Sequence, residues 1–470
     1  MRGAPLLQTL RADLASLALL AVMVFSILRA VWAWPPAGPA AAAALGLYLL
    51  LEGWAAQRGG RKIMVMALAA AGAAFVLLPN PESLMLDAGV QAAALIGLFT
   101  ALGFLREAAG TSPLIQRCGE LMVRQPPGRR YLALALGSHL IGLVLNFGVL
   151  PLVGAMVVKG NTAEAAGGDQ RIVAIRMQRM MTAIIRGFAT MTVWSPLSVS
   201  FTVMQGAVPS LSWWPLLGVQ LVLTALLMAL GWLLDRRAFP PVKAPAGEAE
   251  AAGWRPIGQL AALVAAVVVT SVALAEVLGV RLVVGAMLVV PPAAILWLVA
   301  QHRGVLPALA HLGRQLTVSM PGFREEVTML GGAMFLGVVL VAFIPASETA
   351  RLVNLIPLPP VVVLVLAAWS VMVLSQLGIS QIVTVTVLGG ALASLASHGL
   401  PPLAVASGLM GAWALSACST PVGAAVLSIA RLAGVPMRTV AREWNGRYVN
   451  LGALLLALWL VALWLLVDAA

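Results

Sequence analysis

Two short segments interrupt long apolar stretches in the same way, and they decide how this chain folds. The first is Leu145–Gly154, LNFGVLPLVG, and the second is Ser375–Thr384, SQLGISQIVT. Backbone that leaves the helical conformation is not tolerated against lipid, so each segment must be buried in protein or line a polar cavity. We therefore expect both to be tips of helical hairpins that enter the membrane and return. The two segments align at their amide and glycine positions, Asn146 with Gln376 and Gly148 with Gly378.

The composition places the whole chain in a membrane. Of 470 residues, 61% are hydrophobic and 10% are charged, whereas a soluble domain carries about 25% charged residues. This excludes a cytosolic enzyme, a nucleic-acid-binding module and a disordered chain. About ten apolar runs reach the roughly 20 residues that a membrane helix needs, and two or three others are shorter or interrupted. The sequence predicts an all-α polytopic membrane protein with about 10–12 hydrophobic spans, and not a transmembrane barrel.

The net charge of +12 is interpreted as an orientation signal, because positive residues gather on the cytoplasmic side of membrane proteins. No basic run has the interleaved aromatic residues of a nucleic-acid site, so no nucleic-acid partner is expected. With a cytoplasmic N-terminus and two re-entrant hairpins, only Arg29, Arg281 and Arg351 fall outside. The first span is predicted to be uncleaved. Cys118 and Cys418 are isolated and form no metal or disulfide pattern.

The order of elements repeats: a span, a polar stretch, a hairpin, a broken span and a full span. Five spans separate the hairpins, so the second hairpin opens on the opposite face, as in the inverted repeats of secondary transporters. We predict the following plan: N-terminal scaffold helices at 1–87; a first repeat at 88–234 with a hairpin at 131–158 and a broken helix at 180–204; a cytoplasmic linker at 235–255; further scaffold helices at 256–326; and a second repeat at 327–470 with a hairpin at 359–395 and a broken helix at 403–430.

The broken spans carry Trp194-Ser195-Pro196 and Ser419-Thr420-Pro421. We expect both breaks and both tips to meet near the bilayer midplane, where helix N-termini suit an anion and free carbonyl groups suit sodium. Alternatively, the Ser and Thr side chains only pair with the freed backbone. The predicted solute- and ion-binding residues are Asn146, Gly148, Thr192, Ser195, Pro196, Gln376, Gly378, Ser380, Gln381, Ser419, Thr420 and Pro421, with sodium near Asn146, Ser195, Gln376 and Thr420.

Ionisable side chains inside the spans are few. Arg186 is predicted to face an anionic solute or to reach the cytoplasmic surface, and His139 to be a protonation switch or a packed, hydrogen-bonded residue. No Asp or Glu lies in a hairpin or broken span, which disfavours a proton-exchanging antiporter. Glu52 and Glu276 end spans and are expected at the membrane interface. No catalytic residue and no resident metal are predicted, since no Walker, HExxH or G-x-S-x-G motif occurs.

This layout resembles the ion transporter superfamily, which includes divalent anion:sodium symporters, citrate carriers, arsenite permeases and the large membrane subunits of tripartite transporters. The resemblance covers about residues 88–234 and 327–467. The dicarboxylate branch has Ser-Asn-Thr at each tip, where this chain has Leu145-Asn146-Phe147 and Ser375-Gln376-Leu377. The resemblance implies a homodimer and an elevator motion, in which hairpins and broken spans move as one unit against the remaining helices.

The sequence thus predicts a secondary active transporter of the bacterial inner membrane. It would carry a small anion such as a carboxylate or oxyanion, coupled to Na⁺ or H⁺ and without other cofactors. The expected partners are the solute, the coupling ion and the lipid bilayer. Alternatives are a cation/proton antiporter of the same superfamily, the membrane subunit of a tripartite transporter, and, from another class, an intramembrane enzyme or a lipid-handling protein. For the last class the only supporting residue is His139.

Overall fold

The described part of the chain is helical throughout, as the long apolar runs predict. The computed structural model describes residues 3–164, 167–208, 210–239, 254–344, 351, 358–393, 395 and 399–468. The first ten helices are α1 (Gly3–Trp32), α2 (Ala37–Glu52), α3 (Arg58–Leu77), α4 (Pro81–Gly110), α5 (Pro113–Val123), α6 (Pro127–Leu145), α7 (Val149–Gly160), α8 (Gln170–Trp194), α9 (Val199–Ala207) and α10 (Trp213–Ala238). The others are α11 (Arg255–Leu278), α12 (Leu282–His302), α13 (Val305–Gly322), α14 (Arg324–Ala342), α15 (Pro360–Gln376), α16 (Gln381–Ala393), α17 (Pro402–Ser419), α18 (Ala424–Ala433) and α19 (Gly446–Asp468).

Ten helical segments in the described residues are long and apolar enough to cross a membrane. One of them is the stretch 128–160 and another is 402–433, and both contain the interruptions that the sequence predicts. The shorter apolar helices α15 and α16 make up the second interrupted hairpin. The molecule is therefore a multi-pass helical membrane protein, and its spans follow the hydropathy of the sequence.

Helices α6 and α7 form the first hairpin, which turns at Asn146–Gly148. Two adjacent residues of α5 show the reversal, because Met122 packs on Gly137 of α6 while a Cβ placed on Gly160 of α7 would lie 3.1 Å from Val123 Cγ1. A straight helix would separate these two glycines by roughly 34 Å. The chain therefore enters and returns on one side.

Helices α15 and α16 form the second hairpin. Gly378 ends α15 with φ +84°, and the Ile379 and Gly378 N–H groups donate to Leu374 and Ser375 carbonyls at 3.1 Å, which is a Schellman ending. A Cβ on Gly399, six residues beyond α16, would lie 3.1 Å from Pro360 Cγ at the start of α15. A straight helix would carry the end of α16 roughly 50 Å away, so this segment also turns back.

The two broken helices, α8–α9 and α17–α18, are interrupted by the same kind of turn. The Ser195 carbonyl accepts the Ser198 N–H at 3.0 Å, and the Thr420 carbonyl accepts the Gly423 N–H at 2.9 Å. In both turns proline is the second residue, the position that its fixed φ favours. Ser195 and Thr420 have extended ψ values of 127° and 111°, as residues before proline prefer.

The two repeats have matching internal packing and are interlocked. Helix α6 packs on α8 as α15 packs on α17, and α10 packs on α8 as α19 packs on α17. Each returning hairpin arm packs on the broken helix of the other repeat, α7 on α18 and α16 on α9. Between the hairpins lie four helices long and apolar enough to cross a membrane, α10, α11, α12 and α14. We count the broken helix α8–α9 as a fifth crossing segment, because α8 alone is 25 residues long. An odd number makes the repeats inverted, so the predicted fold class is confirmed.

The structure corrects several boundaries. Helix α8 starts at Gln170, ten residues before the predicted broken span, because Asp169 accepts the N–H groups of Arg171 and Ile172 and caps it. The first hairpin runs from Pro127 to Gly160, beyond the predicted 131–158 at both ends. Helix α10 continues to Ala238 into the predicted linker, whose residues 240–253 lie outside the described part, as does most of the polar stretch 346–358.

Helix α13 was not predicted as a separate element. It buries Ala308, Leu312, Leu316 and Met320 on one face while Leu306 and Val318 are exposed. This spacing of four is typical of an amphipathic helix, and α13 is not among the segments apolar enough to span. Tyr48 at the end of α2 donates to the Met320 carbonyl at 2.8 Å, so α13 lies against the ends of the scaffold helices.

Candidate functional site

The tip of the second hairpin meets the break of the second broken helix. Gln376 Nε2 donates to Ser419 Oγ at 3.0 Å. A Cβ on Gly378 would lie 3.6 Å from Val422 Cγ2. Leu377 and Val422 are 74% and 65% exposed, so this junction opens onto the protein surface. Three predicted site residues, Gln376, Gly378 and Ser419, are thus brought together here.

The hydroxyl groups of the second break are already hydrogen-bonded. Thr420 Oγ1 donates to the Ser416 carbonyl at 2.7 Å, and Ser419 Oγ donates to the Leu415 carbonyl at 3.2 Å. Thr384 donates from its side chain to the Ser380 carbonyl at 3.1 Å. Pro421 is half-buried, as are Ser380 and Gln381 at the start of α16. The amide of Gln376 is therefore the side chain that reaches from the hairpin to the break.

The first break is closed by its own side chains. Ser195 Oγ accepts the Leu197 N–H at 3.1 Å, and Ser198 Oγ donates to the Ser195 carbonyl at 2.7 Å. Thr192 donates to the Ala189 carbonyl at 2.7 Å, and Ser200 donates to the Thr192 carbonyl. All four are buried. They pair with backbone freed by Pro196, so any ion bound here must replace part of this network.

The tip of the first hairpin has an unusual backbone. Asn146 adopts φ +50° and ψ −127°, a region that favours glycine, and such outliers concentrate at functional sites. Its side chain is half-buried, and among the described residues its amide has no hydrogen-bond partner. Phe147 packs on Phe188 with ring centroids 4.9 Å apart. The Arg106 Nε lies 3.9 Å from the position of a Cβ on Gly148.

The expected meeting of all four interruptions is only partly visible in the contacts. The tip of the second hairpin contacts the break in its own repeat. The tip of the first hairpin contacts α8 through Phe147 and contacts Arg106 of α4 at Gly148. Within the described residues no hydrogen bond joins the two tips. The two broken helices contact each other directly, with Cys418 Sγ 3.8 Å from the Ile185 carbonyl oxygen.

His139 lies between α6 and α8 and is buried. Its Nε2 accepts the Trp194 indole N–H at 2.9 Å, and an indole nitrogen can only donate. The other ring nitrogen, Nδ1, lies 3.3 Å from Thr190 Oγ1. Because a proton on Nε2 would face the indole N–H, this geometry favours the packed, hydrogen-bonded role. His139 thereby fixes the residue that precedes the first break.

Arg186 is buried at 8% exposure and does not extend to the surface. Its Nε donates to Asn445 Oδ1 at 2.9 Å, its Nη1 to Tyr131 at 3.2 Å and its Nη2 to the Trp444 carbonyl at 2.9 Å. Its guanidinium also lies 4.6 Å from the Tyr448 ring centroid. The side chain thus joins α8 to α6 and to a π-helical turn, Thr439–Trp444, before α19. It lies roughly 13 Å along α8 from Ser195.

The sequence did not predict that two carboxylate side chains are buried. Glu52, expected at the interface, has a side chain only 5% exposed and pairs with Arg11 at 2.9 Å and Arg324 at 3.6 Å. Asp235 of α10 holds Arg179 of α8 through two hydrogen bonds of 3.0 and 2.7 Å. Both lie at helix ends, where a sequence pattern does not separate buried from exposed positions. No group of three His, Cys, Asp or Glu side chains in the described residues could hold a metal ion.

A solved structure of another protein agrees with this architecture. No family model matches the chain, and no curated protein matches it. Among solved structures, the YdaH transporter of Alcanivorax borkumensis, described as having an unusual topology, superimposes with a TM-score of 0.51 at 17% identity. The match covers 87% of this chain and 99% of that one. This similarity is one of fold alone, and it shows that the chain shares the fold of that transporter.

Proposed function

We propose that this protein is a secondary active transporter that moves a small anion across the bacterial inner membrane, coupled to Na⁺ or H⁺, with a cytoplasmic N-terminus. The observation that carries the proposal is the contact of a re-entrant tip with a helix break, Gln376 Nε2 to Ser419 Oγ at 3.0 Å. Interrupted helices that meet inside a bundle supply the backbone groups that bind solutes in such carriers. The unpaired amide of Asn146 adds a second polar group at the other tip.

An elevator motion requires a unit that holds together while it slides. Hydrogen bonds tie α10 and α19 to α17 of the second broken helix: Ser407 Oγ donates to Gln220 Oε1 at 2.8 Å, and Trp459 Nε1 donates to Ser407 Oγ at 2.9 Å. The Arg179–Asp235 pair adds an ionic tie between α8 and α10. We therefore assign α6–α10 and α15–α19 to the moving unit, a larger set than the hairpins and broken spans alone.

The border with the remaining helices suits sliding, because small residues pack closely there. A Cβ on Gly337 of α14 would lie 2.7 Å from Thr386 Cβ of α16, and one on Gly390 would lie 3.8 Å from Val341 Cβ. The two contacts are four residues apart on both helices, so α14 and α16 run parallel.

A thermal-shift screen of detergent-purified protein tests the anion assignment. Carboxylates, oxyanions and sulfonates would be added with and without sodium, since a ligand that binds the folded state raises Tm. We expect one anion class to raise Tm, and sodium to enlarge the shift if it is the coupling ion. A response to cations alone would favour the antiporter. Uptake of the hit into proteoliposomes by this chain alone would argue against a tripartite subunit.

A further inference from the structure

Arg106, near the end of α4, is a charged side chain that lies beside the tip of the first hairpin, α6–α7. Its Nε lies 3.9 Å from the position of a Cβ on Gly148, and its guanidinium lies 5.5 Å from the Phe323 ring centroid. The side chain is 43% exposed. An arginine held over an aromatic ring and open to solvent on its other side is accessible to a dissolved anion.

The ionic partner of Arg106 is loosely held. Glu326 Oε1 lies 3.9 Å from Arg106 Nη1, and the Glu326 side chain is 37% exposed. This is the longest of the four ion pairs in the described residues, the others being 2.7, 2.9 and 3.6 Å. Exposed pairs of this kind contribute little to stability, so an incoming anion can displace the glutamate at small cost.

The neighbouring charges have other partners. Arg324 pairs with buried Glu52 at 3.6 Å, and Glu325 Oε2 accepts the Gln57 N–H at 2.7 Å. These contacts anchor the start of α14 to the ends of α2 and α3. Arg106 is thus the one of these charged side chains that lies beside the hairpin tip, and Glu326 is its ionic partner.

We propose that Arg106 binds the anionic group of the solute at the tip of hairpin 1, and that Glu326 is the internal counter-ion which the solute replaces. This inference rests on the proposed transport of an anion and names the residue that selects its charge. An arginine suits a carboxylate or oxyanion because its planar guanidinium donates two parallel hydrogen bonds to two oxygens. The open amide of Asn146 is two residues from Gly148 and would supply a neutral donor to the same group.

The test measures charge at the tip without needing the solute. A thiol is introduced by Phe147→Cys, at a side chain that is 42% exposed, while native Cys118 and Cys418 are buried. Its rates of modification by an anionic sulfonatoethyl and a cationic trimethylammonioethyl methanethiosulfonate are compared in the purified, folded chain. We expect Arg106→Gln to lower the anionic-to-cationic rate ratio about fivefold, the effect of one unit charge several Å away in a water-like medium.

Two further variants complete the test. Glu326→Gln should raise the ratio by a similar factor, and Arg106→Lys should keep it within about twofold, because charge is preserved. Arg117→Gln, which removes one charge at an exposed position of α5, serves as the matched control and should leave the ratio unchanged. Size-exclusion profiles would show that each variant is folded.

Several outcomes would overturn the inference. These are a ratio unaffected by Arg106→Gln, a ratio lowered by Glu326→Gln, and no reaction of the Phe147→Cys thiol with either reagent. The proposed function fails separately, if the wild-type chain shows no anion-dependent Tm shift. If Arg106→Gln changes the rate ratio but no anion raises Tm, the proposed anion transport is refuted. The positive charge that Arg106 places at the tip would still be confirmed.

Discussion

Gln376 and Ser419 are joined by a 3.0 Å hydrogen bond from Nε2 to Oγ, and this bond connects a hairpin tip to the residue before a helix break. The residues are 43 positions apart in the chain. The serine also donates to the Leu415 carbonyl, so it links the glutamine amide to the backbone of α17. A solute that binds this junction would contact both interruptions of the second repeat.

We predict that Asn146→Ala and Gln376→Ala each reduce uptake of the anion found in the screen by at least about tenfold, since each removes a polar group worth roughly 1.4 kcal/mol to binding. Radiotracer uptake into proteoliposomes, corrected for reconstituted protein, measures the effect. Ser370→Ala is the control, because the Ser370 hydroxyl donates within α15 to the Ala367 carbonyl. Normal uptake by both alanine variants would remove the tips from the site.

A disulfide between α14 and α16 should stop transport if the hairpin unit slides. Val341→Cys with Gly390→Cys places the Cβ atoms about 3.8 Å apart, which suits a disulfide. In a background lacking the native cysteines, oxidation should lower uptake to near the level of empty vesicles, and a reductant should restore it.

The matched control is a disulfide inside the moving unit. Ala368→Cys with Gly408→Cys joins α15 to α17, with Cβ atoms about 3.6 Å apart. This crosslink should leave uptake within about twofold of the reduced protein, since the two helices move together. Full uptake by a completely crosslinked Val341–Gly390 pair would contradict the elevator motion.

His139→Ala should destabilise the fold rather than change the pH dependence of transport. The substitution leaves the half-buried Trp194 indole N–H without its 2.9 Å acceptor, and we expect a cost of about 1 kcal/mol, the low end of the range for an unpaired donor. We expect a lower Tm and an unchanged profile of uptake rate between about pH 5 and pH 8, the range in which an ordinary histidine titrates. A shift of that profile with Tm preserved would instead identify His139 as a protonation switch.

Arg186→Leu should lower the free energy of unfolding by about 3 kcal/mol or more, because the Asn445 and Trp444 oxygens lose their charged donor. Arg186→Lys should recover only part of the lost free energy of unfolding, since one ammonium cannot match the planar arrangement of the guanidinium donors. Chemical denaturation in mixed micelles gives the comparison. Loss of anion binding at unchanged stability would place Arg186 in the solute site after all.

Local features of the sequence were enough to predict the hairpins and the breaks. Pro196 and Pro421 remove a backbone donor and hold the preceding residue extended, which interrupts a helix wherever it packs. Gly378 supplies the positive φ that ends α15. Hydropathy identified most spans. It gave no indication of the non-spanning helix α13, where apolar residues at every fourth position cover only one face.

The helical membrane class, the interruptions and their inverted arrangement follow from the amino-acid sequence alone, because burial in lipid and proline stereochemistry act over a few neighbouring residues. Which polar groups contact each other depends instead on how the helices pack. Arg186 donates a hydrogen bond to Asn445, which lies 259 positions away in the chain. Arg106 lies beside Gly148 because α4 packs against the first hairpin. Such partners depend on how helices rotate and slide against one another, and the composition and spacing of one segment carry no information about that.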